Sequence, residues 1–136
     1  MDTIGHISSN LVQKLGSKIE EKEDRKILLN KKGQLNGTKE VNVLFQEMDG
    51  IWLSIQGKNR TKRRKSKKKE LKLGITYEGW KKRNGSKDAY VVENKIACAS
   101  FSNSKKFKEL SDATIAENYN TDEIEIRILN GDGAPW

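Results

Sequence analysis

The stretch VNVLFQEMDGIWLSI at residues 41–55 decides the fold class, because apolar and polar side chains alternate along most of it. This period of two is typical of a β-strand with one apolar face. The apolar residues on odd-numbered positions are Val41, Val43, Phe45, Ile51, Leu53 and Ile55. Asp49 shares their phase, and Gly50 beside it permits a bend. We therefore predict one long strand that carries Asp49 on its apolar face.

Two shorter stretches with the same alternation follow in the chain. Residues 71–77 predict a second strand, and residues 89–92, extending to 97, predict a third. The polar residues 81–88 between them are typical of a turn. Because consecutive strands usually lie side by side, we expect three antiparallel strands joined by hairpins.

A helix and a final strand complete this part of the pattern. Residues 102–119 carry apolar side chains at helical spacing, and Ser102 or Ser104 suits the amino-terminal cap. The apolar residues of the last segment that share one phase are Ile124, Ile126 and Ile128. Continuing that phase leads through Asn130 to Asp132.

A long amino-terminal helix is predicted to precede the strands. Residues 8–30 carry Leu11, Leu15, Ile19 and Leu29 at helical spacing. We divide the chain into a helical segment, residues 1–36, and an α+β segment, residues 37–136. Three antiparallel strands, a helix and a fourth strand parallel to the first form the opening part of an incomplete ribonuclease-H-like fold.

The positive charge of the chain is concentrated in one segment. Lys and Arg number 27 against 19 Asp and Glu, a formal charge of +8. Residues 58–69 hold nine of the cations and no acid, which leaves 18 basic against 19 acidic residues elsewhere. These cations are Lys58, Arg60, Lys62, Arg63, Arg64, Lys65, Lys67, Lys68 and Lys69. Such a segment favours binding to a polyanion, above all nucleic acid; the alternative is a solvated loop that keeps the protein soluble.

Several other classes of protein are excluded by the sequence. No apolar run approaches the roughly 20 residues that span a bilayer, and the amino terminus has no signal-peptide pattern, so we expect a cytoplasmic protein without a membrane partner. Cys98 and His6 are the only residues of their types, too few for a zinc site. Cys98 is predicted to be a small buried apolar residue, and Trp52 to be packed in the core rather than available for base stacking.

Asp49 and Asp132 are the candidate metal ligands. Each falls in the apolar phase of its own strand, where an unpaired carboxylate is costly to desolvate unless something compensates its charge. If the first and fourth strands are neighbours, the two carboxylates meet although they are 83 residues apart in sequence. Mg²⁺ prefers such oxygen ligands, and a pair of ions can catalyse phosphoryl transfer. The alternative interpretation is that Asp-Gly and Gly-Asp-Gly merely form turns.

Three blocks of sequence resemble the ISLre-type insertion-sequence transposases, a bacterial family of DDE, Mutator-like transposases. The blocks are VLFQEMDGIWLSIQGKNR at residues 43–60, KKKELKLGITYEGWKK at 67–82 and EIEIRILNGDGAPW at 123–136. Their order and spacing are more specific than either Asp-Gly element. The resemblance runs over nearly the whole chain.

What the resemblance implies is an enzyme that cuts and joins DNA during transposition, with Mg²⁺ or Mn²⁺ held by three acids on a ribonuclease-H-like sheet. Asp49 matches the first acid of the family and Asp132 the second, and both are expected to be catalytic and metal-binding. No residue here matches the third acid. The resemblance also implies that residues 1–36 are a remnant of the DNA-binding helical region and that residues 37–136 are a partial ribonuclease-H-like catalytic domain. It therefore implies a fragment truncated at both ends, inactive alone, that can form oligomers through an incomplete sheet edge.

A second function class is consistent with the same residues. A non-enzymatic module would bind DNA or RNA through the basic segment, residues 58–69, while Asp49 and Asp132 formed turns. Metal binding by the two aspartates would discriminate between these hypotheses.

Overall fold

The computed structural model describes residues 3–54, 68–85 and 87–131, with side chains from residue 10 onward. The elements in chain order are α1 (Thr3–Lys31), β1 (Val43–Ser54), β2 (Lys68–Tyr77), β3 (Gly79–Lys82), β4 (Tyr90–Glu93), β5 (Ile96–Ser100), α2 (Ser104–Asn118), a short 3₁₀ helix (Thr121–Glu123) and β6 (Ile126–Gly131). The predicted α+β class is confirmed, and both predicted helices are present.

Four of the described strands form a mixed sheet in the order β5-β2-β1-β6. β1 is antiparallel to β2, and β2 is antiparallel to β5. β6 is parallel to β1, as predicted for the last strand and the first. A parallel pair needs a crossover connection, and α2 supplies it between β5 and β6.

The prediction of one third strand over residues 89–92, extending to 97, is wrong, because this stretch forms two strands. It is divided between β4 and β5 at Asn94, whose φ of 52° lies in the left-handed region and interrupts an extended chain. β4 pairs with β3, which the sequence did not predict, in a separate two-stranded sheet. Trp80 of β3 packs against the rings of Phe45 and Tyr77, with centroids 4.8 Å and 5.2 Å away.

α2 packs against the even-numbered side chains of β1, whereas the sequence pattern pointed to the odd-numbered ones. Leu44 is fully buried and forms a core with Ile115 and Tyr119. Gln46 and Met48 are buried on the same face. The more apolar odd-numbered face is covered by Trp80 near Phe45, yet Ile51 and Leu53 are exposed, at 42% and 41% of their surface.

The second half of α1 contacts α2 through ion pairs and a buried side chain. Ile27 is buried, and Lys26 forms an ion pair with Glu117 at 2.7 Å. All side chains from residue 10 to residue 22 are exposed. The apolar residues Leu11, Leu15 and Ile19 of the predicted stripe are therefore exposed.

The amino-terminal cap of α2 is Asn103, rather than Ser102 or Ser104. Its side-chain oxygen accepts a hydrogen bond from the backbone N–H of Lys106 at 2.8 Å. This bond satisfies one of the N–H groups that a helix leaves unpaired at its start. Asn103 thereby fixes where the crossover helix begins.

Candidate functional site

The parallel pair of β1 and β6 positions the first candidate acid. Their register begins with Val43 opposite Ile126 and ends with Met48 opposite Gly131. In sequence, the residue after Met48 is Asp49 and the residue after Gly131 is Asp132. Asp49 lies in β1, and Asp132 lies outside the described residues.

Asp49 is exposed, although the sequence pattern placed it on a buried apolar face. Its Oδ1 accepts a hydrogen bond from the backbone N–H of Gly50 at 2.8 Å. The prediction that burial forces a metal to compensate this carboxylate is therefore wrong. Exposure instead leaves the carboxylate accessible to a cation from solvent.

Two further oxygen-bearing side chains share the face of Asp49. Glu47 lies two residues earlier on β1 and opposite Asn130 of β6, so all three side chains point to the same side of the sheet. The Oε1 of Glu47 accepts a hydrogen bond from the hydroxyl of Tyr77 at 2.9 Å. Burial raises the pKa of Tyr77, and this bond to Glu47 raises it further. The period of two in β1 could have identified Glu47.

The described residues contain no group of three or more His, Cys, Asp or Glu side chains that could hold a metal ion. Of the two predicted ligands, the structure describes Asp49 alone. Cys98, predicted to be buried, is partly buried on β5, and burial raises the pKa of its thiol.

A polar network on the opposite face joins β1, β6 and α2. The Nε and Nη2 atoms of Arg127 donate to the Oε1 of Gln46 at 3.1 Å and 2.9 Å. Nη2 also donates to Oδ1 of Asp112 at 2.9 Å. Gln46 in turn donates to Ser111 at 3.4 Å. Because buried polar groups need such partners, this network stabilises β6 beside β1. No pattern in the sequence indicated it.

The hairpin of β1 and β2 extends beyond its neighbours in the sheet. β6 pairs with β1 only as far as Met48, and β5 pairs with β2 from Lys72 onward. Residues 51–54 and 68–71, called the ribbon below, therefore pair only with each other among the described strands. The predicted cations Lys68 and Lys69 lie on the ribbon. The others, Lys58, Arg60, Lys62, Arg63, Arg64, Lys65 and Lys67, lie outside the described residues.

Trp52 is an exposed residue of the ribbon rather than the core residue predicted from the sequence. Its side chain is 63% exposed. It lies opposite Glu70, whose carboxylate forms an ion pair with Lys72 at 3.1 Å. The pattern of β1 could not reveal this exposure, because the strand continues past the part of the sheet that α2 covers.

The fold and these residues define an α+β protein with a mixed four-stranded sheet, an exposed acid beside its parallel strand pair and a basic ribbon. Residues 6–136 match the model of a family described as Uncharacterised protein family (UPF0236), and the chain belongs to that family. Neither a curated protein nor a solved structure matches the chain. No helix formed by the described residues is both long and apolar enough to cross a membrane.

Proposed function

We propose that this chain carries two of the metal-binding acids of a DDE-type transposase, an enzyme that cleaves and joins DNA strands. The observation that carries the proposal is the parallel register of β1 and β6. It ends with Met48 opposite Gly131, and an aspartate follows each of these residues in sequence. Neighbouring parallel strands are about 4.8 Å apart, so aligned side chains on them approach each other closely.

The order of the strands supports the finer part of the proposal, a ribonuclease-H-like fold. Three antiparallel strands of one sheet, β1, β2 and β5, are followed by a crossover helix and a strand parallel to the first. That succession is the one expected of the opening half of this fold. Asp49 lies on β1 of this sheet, and the resemblance to the transposases matches it to the first acid.

The chemistry of the side chains fits a hard divalent cation. Asp49 presents an exposed carboxylate, and Glu47 and Asn130 present further oxygen atoms on the same face. A pair of such ions activates the attacking oxygen and stabilises the leaving oxygen in phosphoryl transfer. With two matched aspartates we expect weak binding, at roughly millimolar concentrations, and no nicking of plasmid DNA by the chain alone.

The basic segment supplies the DNA-binding part of the proposal. Nine cations without an acid, at residues 58–69, favour contact with phosphates. If six to nine of them bind phosphates, the logarithm of the affinity for duplex DNA falls with the logarithm of the salt concentration at a slope of about −5 to −8. Contacts of this kind position DNA without reading its sequence.

A titration with Mn²⁺ tests the acid pair without requiring catalysis. Mn²⁺ broadens the NMR signals of nearby amides in a way that falls steeply with distance. We expect the amides around Met48 to Gly50 and those of Asn130 and Gly131 to broaden together in the ¹⁵N-labelled chain. Asp49→Asn keeps the shape of the side chain and its bond to Gly50, and should abolish the broadening at both places.

Asp88→Asn serves as the matched control, because Asp88 is an exposed aspartate of the β3–β4 turn. It should leave the broadening unchanged, and Asp132→Asn should remove it. Broadening that is insensitive to Asp49→Asn and Asp132→Asn would contradict the metal site. DNA binding that persists in that case would identify the non-enzymatic nucleic-acid-binding module instead.

A further inference from the structure

We infer that Trp52 is a base-stacking site for unpaired nucleotides, presented on the ribbon beside an exposed lysine. The inference rests on the nucleic-acid partner of the proposed function, but not on its metal site. Aromatic side chains bind single strands because every base offers a π face, whatever its identity. The occupant we propose is therefore a single-stranded segment of nucleic acid.

The position of Trp52 explains why its indole is available. Residues 51–54 lie past the end of the pairing with β6, and the side chain of Trp52 is 63% exposed. Its side chain shares the face of β1 that carries Leu44 and Met48, which are buried nearer the start of the strand. Trp52 thus occupies a core-facing position on a part of the strand where the described elements provide no core.

The charges around Trp52 suit a phosphate backbone. Its cross-strand partner is Glu70, and the diagonal neighbours on the same face are Lys68 and Lys72, with Cβ atoms about 7–8 Å away. Lys72 is buried, pairs with Glu70 at 3.1 Å and donates to the backbone oxygen of Ser102 at 2.9 Å. The negative charge of Glu70 is thereby compensated, and Lys68 is left exposed beside the indole.

The same surface is poorly suited to a lipid bilayer. Interfacial binding buries a continuous apolar face in the lipid headgroup region. The face of Trp52 also carries Ser54, Glu70 and Lys68, which would have to be desolvated. Stacking of one base needs only the indole ring, while the neighbouring polar groups stay in water.

Fluorescence anisotropy with two labelled oligomers of equal length tests the inference. One is oligothymidine and the other is an abasic strand with the same number of phosphates. We expect the chain to bind oligothymidine about tenfold more tightly, within the range of base–aromatic stacking. Trp52→Ala and Trp52→Leu should lose this preference, whereas Trp52→Phe should keep part of it.

Tyr90→Ala is the matched control, since Tyr90 of β4 is also 63% exposed. It should leave the preference for oligothymidine unchanged. Replacing both Lys68 and Lys69 by Gln should instead weaken binding to both oligomers and make the salt slope shallower by up to about 1.4. Circular dichroism of each variant checks that the fold is retained, and Trp52→Leu preserves most of the apolar volume.

The outcomes separate this inference from the proposed function. Equal binding of both oligomers, or a preference that survives in Trp52→Leu, would overturn the stacking site while DNA binding by the cations stands. Failure to bind either oligomer would overturn the stacking site and remove single-stranded nucleic acid as a partner, while duplex binding by the cations would be measured separately. Loss of binding to anionic vesicles in Trp52→Ala, without any effect on the oligomers, would assign the residue to a membrane surface. The Mn²⁺ titration tests the acids independently of all these results.

Discussion

Gly37 lies where the chain after α1 passes the end of α2. Its backbone N–H donates to the oxygen of Ala116 at 2.9 Å, and a Cβ atom at this position would collide with the backbone of Asn118 and Tyr119. Backbone atoms cannot swing aside as a side chain can. We predict that Gly37→Ala lowers the free energy of unfolding by about 2–3 kcal/mol, measured by urea denaturation.

The control for this substitution is Gly16→Ala in the exposed first half of α1. Apart from the backbone of its own helix turns, no atom lies within 4 Å of a Cβ atom built at Gly16. Alanine favours the helix over glycine by up to about 1 kcal/mol, so this variant should be slightly more stable than the wild type. Equal stability of the two variants would show that the backbone at residue 37 is not held against α2.

The candidate site could be predicted only in part from individual residues. The alternation in β1 correctly placed Asp49 in phase with Phe45 and Ile51. The alternation did not show which face α2 covers. The buried face includes Gln46, and a polar residue at that position makes the face look solvent-exposed in the sequence pattern. Gln46 is tolerated there by hydrogen bonds to Ser111 and Arg127, residues far away in sequence.

At the scale of elements, Glu78 joins the end of β2 to the segments on either side. Its carboxylate accepts hydrogen bonds from Asn94 at 2.8 Å and from Tyr119 at 2.9 Å, and it forms an ion pair with Lys39. Burial alone would raise the pKa of Glu78, but the bonds from Lys39, Asn94 and Tyr119 outweigh it and lower the pKa. Burial raises the pKa of Tyr119, and the hydrogen bond to Glu78 raises it further.

These shifts predict loss of stability at both extremes of pH. A lowered pKa in the folded state means that Glu78 contributes its full stability above the ordinary value of 4.5, and the contribution disappears as the pH falls through the folded pKa. The raised pKa of Tyr119 has the opposite sense: its contribution is complete below pH 10.0 and disappears as the pH rises through the folded pKa. Glu78→Gln should flatten the acid limb of a plot of unfolding free energy against pH.

Tyr119→Phe provides the complementary measurement. This substitution should flatten the alkaline limb, because phenylalanine has no hydroxyl group to ionise. It should also make the acid limb shallower, because the carboxylate of Glu78 loses the hydrogen bond donated by the Tyr119 hydroxyl. An acid limb that is unchanged in Glu78→Gln would assign the acid sensitivity to other carboxylates.

The elements themselves were predicted unevenly, and their length explains why. β1 and β2, of 12 and 10 residues, are long enough to display the period of two, and both were predicted. β3 has four residues, too few for a period to emerge from the polar residues around it, and it was not predicted. β4, also of four residues, was predicted only as part of a longer third strand. The end of β4 depends on the left-handed conformation of Asn94, which asparagine adopts more readily than most residues but does not require.

At the scale of the whole molecule, the order of the elements predicted the topology better than the side-chain pattern predicted the core. A helix between two strands implies a parallel crossover, and β6 does pair in parallel with β1. The composition of the core depends on which face of the sheet α2 covers. That face is determined by the direction that the chain takes after β5. The exposed apolar stripe of α1 could not be predicted for the same reason. Helical spacing shows that apolar residues share a face of the helix, but it does not show which element packs against that face.

Engineered disulfides test the register on which the acid pair depends. Aligned residues of parallel neighbours have Cα atoms about 4.8 Å apart, within the roughly 4.4–6.8 Å that a disulfide spans. We predict that Glu47→Cys with Asn130→Cys, in a chain carrying Cys98→Ser, forms an internal disulfide and raises the unfolding free energy by up to about 4 kcal/mol. Non-reducing electrophoresis and urea denaturation measure the two effects.

The partner variant replaces Leu129 instead of Asn130 and should not cross-link, because adjacent residues of a strand point to opposite faces. A register shifted by one residue would reverse the two results. It would also place the continuation of β6 in the opposite phase from Asp49, so two aspartates on neighbouring strands could no longer share one ion. Cross-linking of the Leu129 variant would therefore exclude the acid pair, while leaving the ribbon and its exposed indole intact.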